Sequence, residues 1–403
     1  MSRDGAPFFG WRVVWAAFTI AVFAWGIGFY GPGIFLEALH DRHGWSVSLI
    51  SGAITTHFMV GAALVSRFPA IEARLGIMGV ILVGAGLTAV GMVCWAAASQ
   101  PWHIFAAAIL SGCGWALTSG ASVNAMVTPW FDVRRPAAIS LAYNGASMGG
   151  VIFAPLWAVL ITQFGFPWAG AIVALATLLT MSALAVLVLR HSPASLGQVP
   201  DGVPRTTPRL TLPGSLAPGR AIWRDARFVK LSAGFSLGAG ALVGLLAHLF
   251  SLLSPTLGAF GAGLAMSLIT LFAMVGRTLL GWAMPRDADR RRAGGWNFVV
   301  QVVGTLILLA GFGHSAPVLL LGCVVFGLTV GNMLSLPPLI AQAEFAPGDV
   351  GRVVALLTAV NQAVYALAPA GFGLLRDATG SGVPVLLAAA LLQAVSAVIL
   401  FRR

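Results

Sequence analysis

Residues 261–292 read GAGLAMSLITLFAMVGRTLLGWAMPRDADRRR, and this stretch decides the fold class. From Gly261 to Met284 it carries a single charge, Arg277. After Pro285 the chain turns abruptly polar, with Arg286, Asp287, Asp289, Arg290, Arg291 and Arg292. Crossing a hydrocarbon layer of about 30 Å takes roughly 20 apolar helical residues, so the run is long enough to span, and its arginine-rich foot belongs on the cytosolic side. Arg277 cannot be moved out of the apolar part of that span. A guanidinium at bilayer depth costs on the order of 3 kcal/mol by insertion scales, which makes Arg277 a functional candidate by default.

The pattern repeats along the whole chain. With 58% hydrophobic and 9% charged residues, 403 residues cannot solvate the surface of a soluble globule and need lipid as their outer solvent. Polar interruptions divide the sequence into twelve spans, roughly 12–36, 46–69, 77–98, 103–127, 137–162, 166–190, 229–253, 261–284, 293–313, 317–342, 350–375 and 382–401. All but three of the 23 Lys+Arg fall on one side of these spans; Arg42 and Arg376 fall on the other side, and Arg277 lies within. The formal charge of +11 therefore anchors orientation, with both termini cytosolic, and does not point to nucleic acid. Cys94, Cys113 and Cys323 are single residues inside apolar runs, without the spacing of a metal site or a disulfide framework. The first span is too long for a signal peptide and lacks a small-residue cleavage site. From Arg190 to Arg227 the chain is rich in Pro and Arg and reads as a linker. The expected organisation is an all-α membrane protein with a six-helix bundle over 1–190, a cytosolic linker over 191–227 and a second six-helix bundle over 228–403.

The two halves look like copies, with basic loops at corresponding places: Arg67 and Arg74, Arg134 and Arg135, Arg286 and Arg290 to Arg292, and Arg352. Paired six-helix halves of this kind are the pattern of major facilitator transporters. Local motifs narrow the likeness. Gly10-Trp11-Arg12-Val13-Val14 runs through Ala16-Ala17-Phe18 to Tyr30-Gly31, and Gly44-Trp45-Ser46 opens the second span. Asn124-Ala125-Met126-Val127-Thr128-Pro129-Trp130-Phe131 is followed by Arg134-Arg135, Ala142-Tyr143-Asn144-Gly145-Ala146-Ser147 and Gly149-Gly150. Together these resemble the monocarboxylate-porter and oxalate/formate-antiporter branch of the major facilitator superfamily, over most of the chain. The resemblance implies the major facilitator fold and a binding site at the interface of the halves. It further implies alternating access, by symport or antiport, in a bacterial-type inner membrane, with no cofactor and no metal. In that branch an arginine followed four residues later by glycine pairs with the substrate carboxylate, and Arg277 with Gly281 matches. A planar guanidinium offers a carboxylate two parallel donors.

Two departures bear on the substrate. Ala273 stands where the proton-coupled carriers keep an acid one turn before the arginine, and Gln362 stands where the oxalate antiporter keeps a lysine. One cavity cation leaves a dianion undercompensated, so the expected substrate is a small organic monoanion, monocarboxylate-like, carried by a monomer. The first, fourth, seventh and tenth spans line the cavity in this superfamily, which favours Tyr30, Asn124, His248 and Asn332 as lining residues beside Arg277. Gln362 and Tyr365 add hydrogen-bonding groups on the eleventh span. Arg67, Glu72 and Arg74, with Arg286, Asp287 and Arg290, match the loops that latch one conformation.

Plainer readings stand beside these. Arg277 lies eight residues before Pro285, about 12 Å up the helix, and could pair with another helix or snorkel to the surface. Gly276 and Gly281 suggest instead a closely packed helix. His57 and His248 are the histidines well inside spans; each is either a core histidine bonded to a neighbouring helix or a proton carrier. Glu37 and Asp41 read as a solvated rim, whereas Trp25 and Trp115 lie deep enough to shape a pocket. If Arg277 is structural, the chain is instead an efflux carrier of a hydrophobic drug or siderophore-like compound. An enzyme has no support, since no nucleophile with base and orienting acid and no phosphate-binding loop is present.

Overall fold

The computed structural model describes residues 7–202, 219–285 and 288–402. Most of the linker, together with Arg286 and Asp287, lies outside the described residues. Among those described, regular structure is entirely helical, as hydrocarbon requires of a chain that must satisfy its own backbone polar groups. The helices are α1 (Gly10–Gly28), α2 (Gly31–His43), α3 (Val47–Val65), α4 (Phe68–Ala96), α5 (Pro101–Thr118), α6 (Gly120–Val127) and α7 (Arg135–Leu184). After the linker come α8 (Gly219–Arg224), α9 (Ala226–Ala283), α10 (Arg290–Gly311), α11 (Ala316–Val330), α12 (Asn332–Glu344), α13 (Pro347–Thr379) and α14 (Val383–Phe401). At 1.5 Å per residue the 58 residues of α9 would reach about 87 Å, far more than one crossing needs. Its backbone reverses at Gly258 (φ 70°), and that of α7 at Gly165 (φ 75°), so each contributes two spans and the chain makes twelve. Only glycine enters this left-handed region without steric cost. Prolines stand in the first turn of α4, α5, α7, α11, α13 and α14, where a missing N–H costs nothing.

Contacts group the chain into two compact units, Met1–Ala38 with Thr56–Pro208, and Leu39–Thr55 with Arg209–Arg403. The segment Leu39–Thr55 joins the second unit for an identifiable reason. The carboxylate of Asp377, near the end of α13, accepts from the backbone N–H of Val47 (3.2 Å) and of Ser48 (2.8 Å), capping α3 from another helix. One and two turns along α3, Ser51 reaches His248 and Thr55 accepts from the N–H of Ala370 (3.0 Å). At the basic end of the second unit, Asp225 caps α9 through the N–H of Arg227 (2.8 Å) and Asp289 caps α10 through that of Arg292 (3.1 Å). The Arg227 guanidinium, hydrogen-bonded to the same carboxylate, holds Asp225 below the usual carboxylate range.

Outward faces are apolar. On α14, Leu387, Leu391, Val395 and Val398 are all exposed at helical spacing, a stripe only lipid would cover. Inward contacts rest on glycine. In unit one, a Cβ at Gly145 or Gly149 would collide with the carbonyls of Phe18 and Val22 of α1. In unit two, Gly276, Gly327 and Gly331 bring 259–283 and α11 into backbone contact, with Leu328, Ile269 and Ala273 opposite. Gly281 differs from the sequence expectation: a Cβ there would meet nothing within 4 Å, so it does not serve this packing. Gly276→Val should therefore lower the thermal midpoint of the detergent-purified protein, by an overpacking cost of about 1–3 kcal/mol, whereas Gly281→Ala should leave it unchanged.

Candidate functional site

Three of the spans are interrupted, and the interruptions place the candidate residues. In unit one the first span breaks between α1 and α2 at Phe29 and Tyr30, and the fourth at Ser119 between α5 and α6, where ψ falls to −144°. The Ser122 hydroxyl recovers the stranded carbonyl of Leu117. The loosening is slighter in unit two, where Gly331 stands between α11 and α12 with helical dihedrals (φ −63°, ψ −29°). Breaks in membrane helices survive where side chains re-satisfy the backbone, and they mark places where polar groups can face a solute.

Around the breaks of unit one the structure assembles an aromatic and amide cluster. The Asn124 amide donates to the Tyr143 hydroxyl (3.1 Å), which donates to the Gly120 carbonyl (3.0 Å) at the start of α6. Trp25 packs edge-on to Trp115 and to Tyr143, with ring centroids 5.0 and 6.0 Å apart. Asn124 is exposed, Tyr143 partly so. Tyr30, by contrast, is 8% exposed, with its ring against Phe29. His57 is buried in the same unit. Its Nε2–H donates to the Gly28 carbonyl (3.0 Å), and Nδ1 is hydrogen-bonded to the Ser111 hydroxyl (2.9 Å), whose oxygen also receives the Trp95 indole (3.0 Å). Because a carbonyl only accepts, Nε2 carries a proton. The adjoining cavity, which the unpaired Thr88 hydroxyl also lines, measures about 10 Å³, room for one water and not for a substrate.

Unit two holds the remaining candidates. Arg277 is half-buried on the second span of α9, and its Cβ would lie 3.2 Å from a Cβ at Gly331. The close crossing thus brings the root of the Arg277 side chain against Gly331 of the tenth span. Ala273, 3% exposed, lies in the same crossing. Asn332 follows the break directly, yet its amide turns into the core: it donates to Asn297 Oδ1 (2.8 Å) and to the Leu328 carbonyl (3.2 Å) at 5% exposure. His248 is fully buried, with Nε2–H on the Pro369 carbonyl (3.1 Å) of α13 and Nδ1 without a partner. Gln362 hydrogen-bonds Tyr365 one turn away on α13, both half-buried. Of the loop residues, Arg67, Glu72 and Arg74 stand before a left-handed Gly76 in α4, and Arg290 donates to the Leu339 carbonyl (2.9 Å).

Some polar groups escaped the sequence reading. Asn297, Gln301 and Thr305 recur every four residues on one buried face of α10, and Thr305 donates to Gln393 Oε1 of α14 (2.9 Å). That i, i+4, i+8 repeat was the available signal. The tie of Arg291 to Glu344 had none, because its partners stand 53 positions apart.

Among the described residues, regular structure is helical and forms twelve apolar spans. Residues 17–369 match the family model of the Major Facilitator Superfamily. The chain belongs to this superfamily. Among its curated relatives, human monocarboxylate transporter 11 is 28% identical over 391 residues, covering 92% of this chain and 78% of that protein. Rat monocarboxylate transporter 13 is 25% identical over 379 residues, covering 92% and 83%. The crystal structure of the nucleoside transporter NupG superimposes with a TM-score of 0.76 over 96% of this chain and 99% of its own, at 11% identity, a likeness of fold alone. This superfamily member is therefore an integral membrane transporter whose relatives include proteins named for monocarboxylates, and the resemblance carried by its motifs stands.

The two asparagines of the expected lining separate cleanly in this arrangement. In a cysteine-free background, Asn124→Cys should react readily with a membrane-permeant thiol reagent and Asn332→Cys at least about tenfold more slowly, read as labelling rate by mass spectrometry.

Proposed function

We propose that this transporter carries a small organic monoanion, of the monocarboxylate kind, across the cytoplasmic membrane by alternating access, with Arg277 as the counter-charge of its substrate. The observation that supports this most strongly is the position of Arg277. An arginine is set at the glycine-lined crossing of α9 with α11, its Cβ against Gly331, in an otherwise apolar stretch of helix. A carboxylate meeting it there engages two parallel N–H donors, and the low dielectric strengthens that pair relative to water. One such cation fully balances one negative charge, which favours a monoanion over a dianion.

Reconstituted in proteoliposomes, Arg277→Lys should lower uptake of labelled small monocarboxylates by about tenfold or more, since an ammonium keeps the charge but loses the planar fork. Uptake by the lysine variant at the wild-type rate would refute the role given to Arg277, and loss of only apolar-drug export would favour an efflux carrier.

We infer further that His248 takes up the coupling proton. Its Nε2–H is committed to the Pro369 carbonyl, so Nδ1 is the atom left to accept a proton, on a helix hydrogen-bonded to both α3 and α13. His248→Gln should abolish accumulation driven by a proton gradient while leaving counterflow exchange intact. Unchanged gradient-driven accumulation would sink this assignment without touching that of Arg277.

A further inference from the structure

Where α9 and α10 begin, on the arginine-rich side of unit two, the helices enclose a pocket of about 440 Å³. Its charged lining is Arg227, Lys230, Arg290 and Arg291 against Asp289 and Glu344, four cations facing two carboxylates. Both helices present their N-terminal ends to it, adding the positive end of each helix dipole. Arg291 is the fixed point. Its Nε and Nη2 grip the Glu344 carboxylate at 2.7 and 2.6 Å, Nη2 also donates to the Arg227 carbonyl (2.9 Å), and the side chain is only 8% exposed. Its Nη1, however, is buried with no hydrogen-bond partner. A buried guanidinium N–H left unpaired is costly, and it belongs to a residue that lines the pocket.

We propose that this pocket binds a phosphate group, either the phosphodiester of an anionic phospholipid headgroup or a free phosphate. Several guanidinium and ammonium donors converging from different directions match an anion with oxygens on several sides better than a flat carboxylate. The basic loop between α9 and α10 is bracketed in sequence by Trp282 and Trp296, 86% and 62% exposed, as interfacial tryptophans are. Basic recesses between membrane helices on the cytosolic side are suited to such headgroups. Occupancy would tie the first turns of α9 and α10 to α12 through Arg291 and Glu344. This inference does not depend on the substrate role of Arg277.

The test is binding to the purified full-length protein in neutral detergent, titrated with phosphatidylglycerol, phosphatidylcholine and inorganic phosphate, and read by native mass spectrometry and thermal midpoint. Wild type should bind phosphatidylglycerol in preference to phosphatidylcholine. Lys230→Gln combined with Arg290→Gln should weaken that binding about twenty-five-fold, from roughly fivefold per cation removed. Saturable binding of inorganic phosphate, with the same loss in the double variant and no lipid preference, would assign the pocket to a free phosphate. If the double variant does not fold, Lys230→Gln alone should weaken binding about fivefold. The proposal is overturned if wild type neither prefers phosphatidylglycerol nor binds phosphate, or if the variants bind as wild type does.

Discussion

Hydrocarbon offers a backbone no hydrogen-bond partner, and everything in this molecule follows from meeting that constraint with helices alone. Once helices are obligatory, lipid tails supply no hydrophobic drive for them to associate, so packing must come from close van der Waals contact. Glycine provides it. The crossing of 259–283 with α11 depends on Gly276, Gly327 and Gly331, each of which meets a backbone carbonyl or α-carbon where a side chain would stand. The same crossing that holds unit two together also sets the depth and direction of Arg277. On the role proposed for Arg277, packing and function would be coupled at one place, since a residue that loosened the crossing would move the cation.

A second consequence concerns how polar groups are distributed. Several in the cores are committed to one another or to backbone, as with Asn332 and Asn297, His57 and Gly28, or Thr305 and Gln393. Such pairs are each worth little, around 0.6 kcal/mol in membrane proteins. They specify register between helices more than they add stability. Asn124 and Tyr143 at the break of the fourth span, and Gln362 and Tyr365 on α13, pair with each other in the same way, but Asn124 stays exposed and the others only half-buried.

The charged end of unit two follows different physics. There the cost of ordering long side chains is offset by mutual hydrogen bonding, with Asp225, Asp289 and Glu344 each holding an arginine and two of them also capping a helix. Arg291 is the most buried of these and the only one among the described residues with an unpaired buried guanidinium nitrogen. A transporter whose helix ends are gathered by such a network has a natural point at which the surrounding headgroups can act on it.

The architecture was legible in the sequence because its signals are local. Span length, the arginine-rich ends and the proline and glycine punctuation each depend on a few consecutive residues, and residues 261–292 alone contain all three. Arg277 was legible for the same reason, as a charge in an apolar run. What the sequence could not state was which polar residues would be consumed by the core. Asn332 and His248 look like Asn124 in one dimension, all single polar residues within apolar spans, and only the neighbouring helices decide that the first two are bonded away and the third is exposed. Likewise Asp377 caps α3 across 330 positions of chain, and Gly281 packs against nothing although Gly276 five residues earlier is indispensable. Those outcomes depend on how helices cross, and crossing is fixed by contacts between residues far apart in sequence.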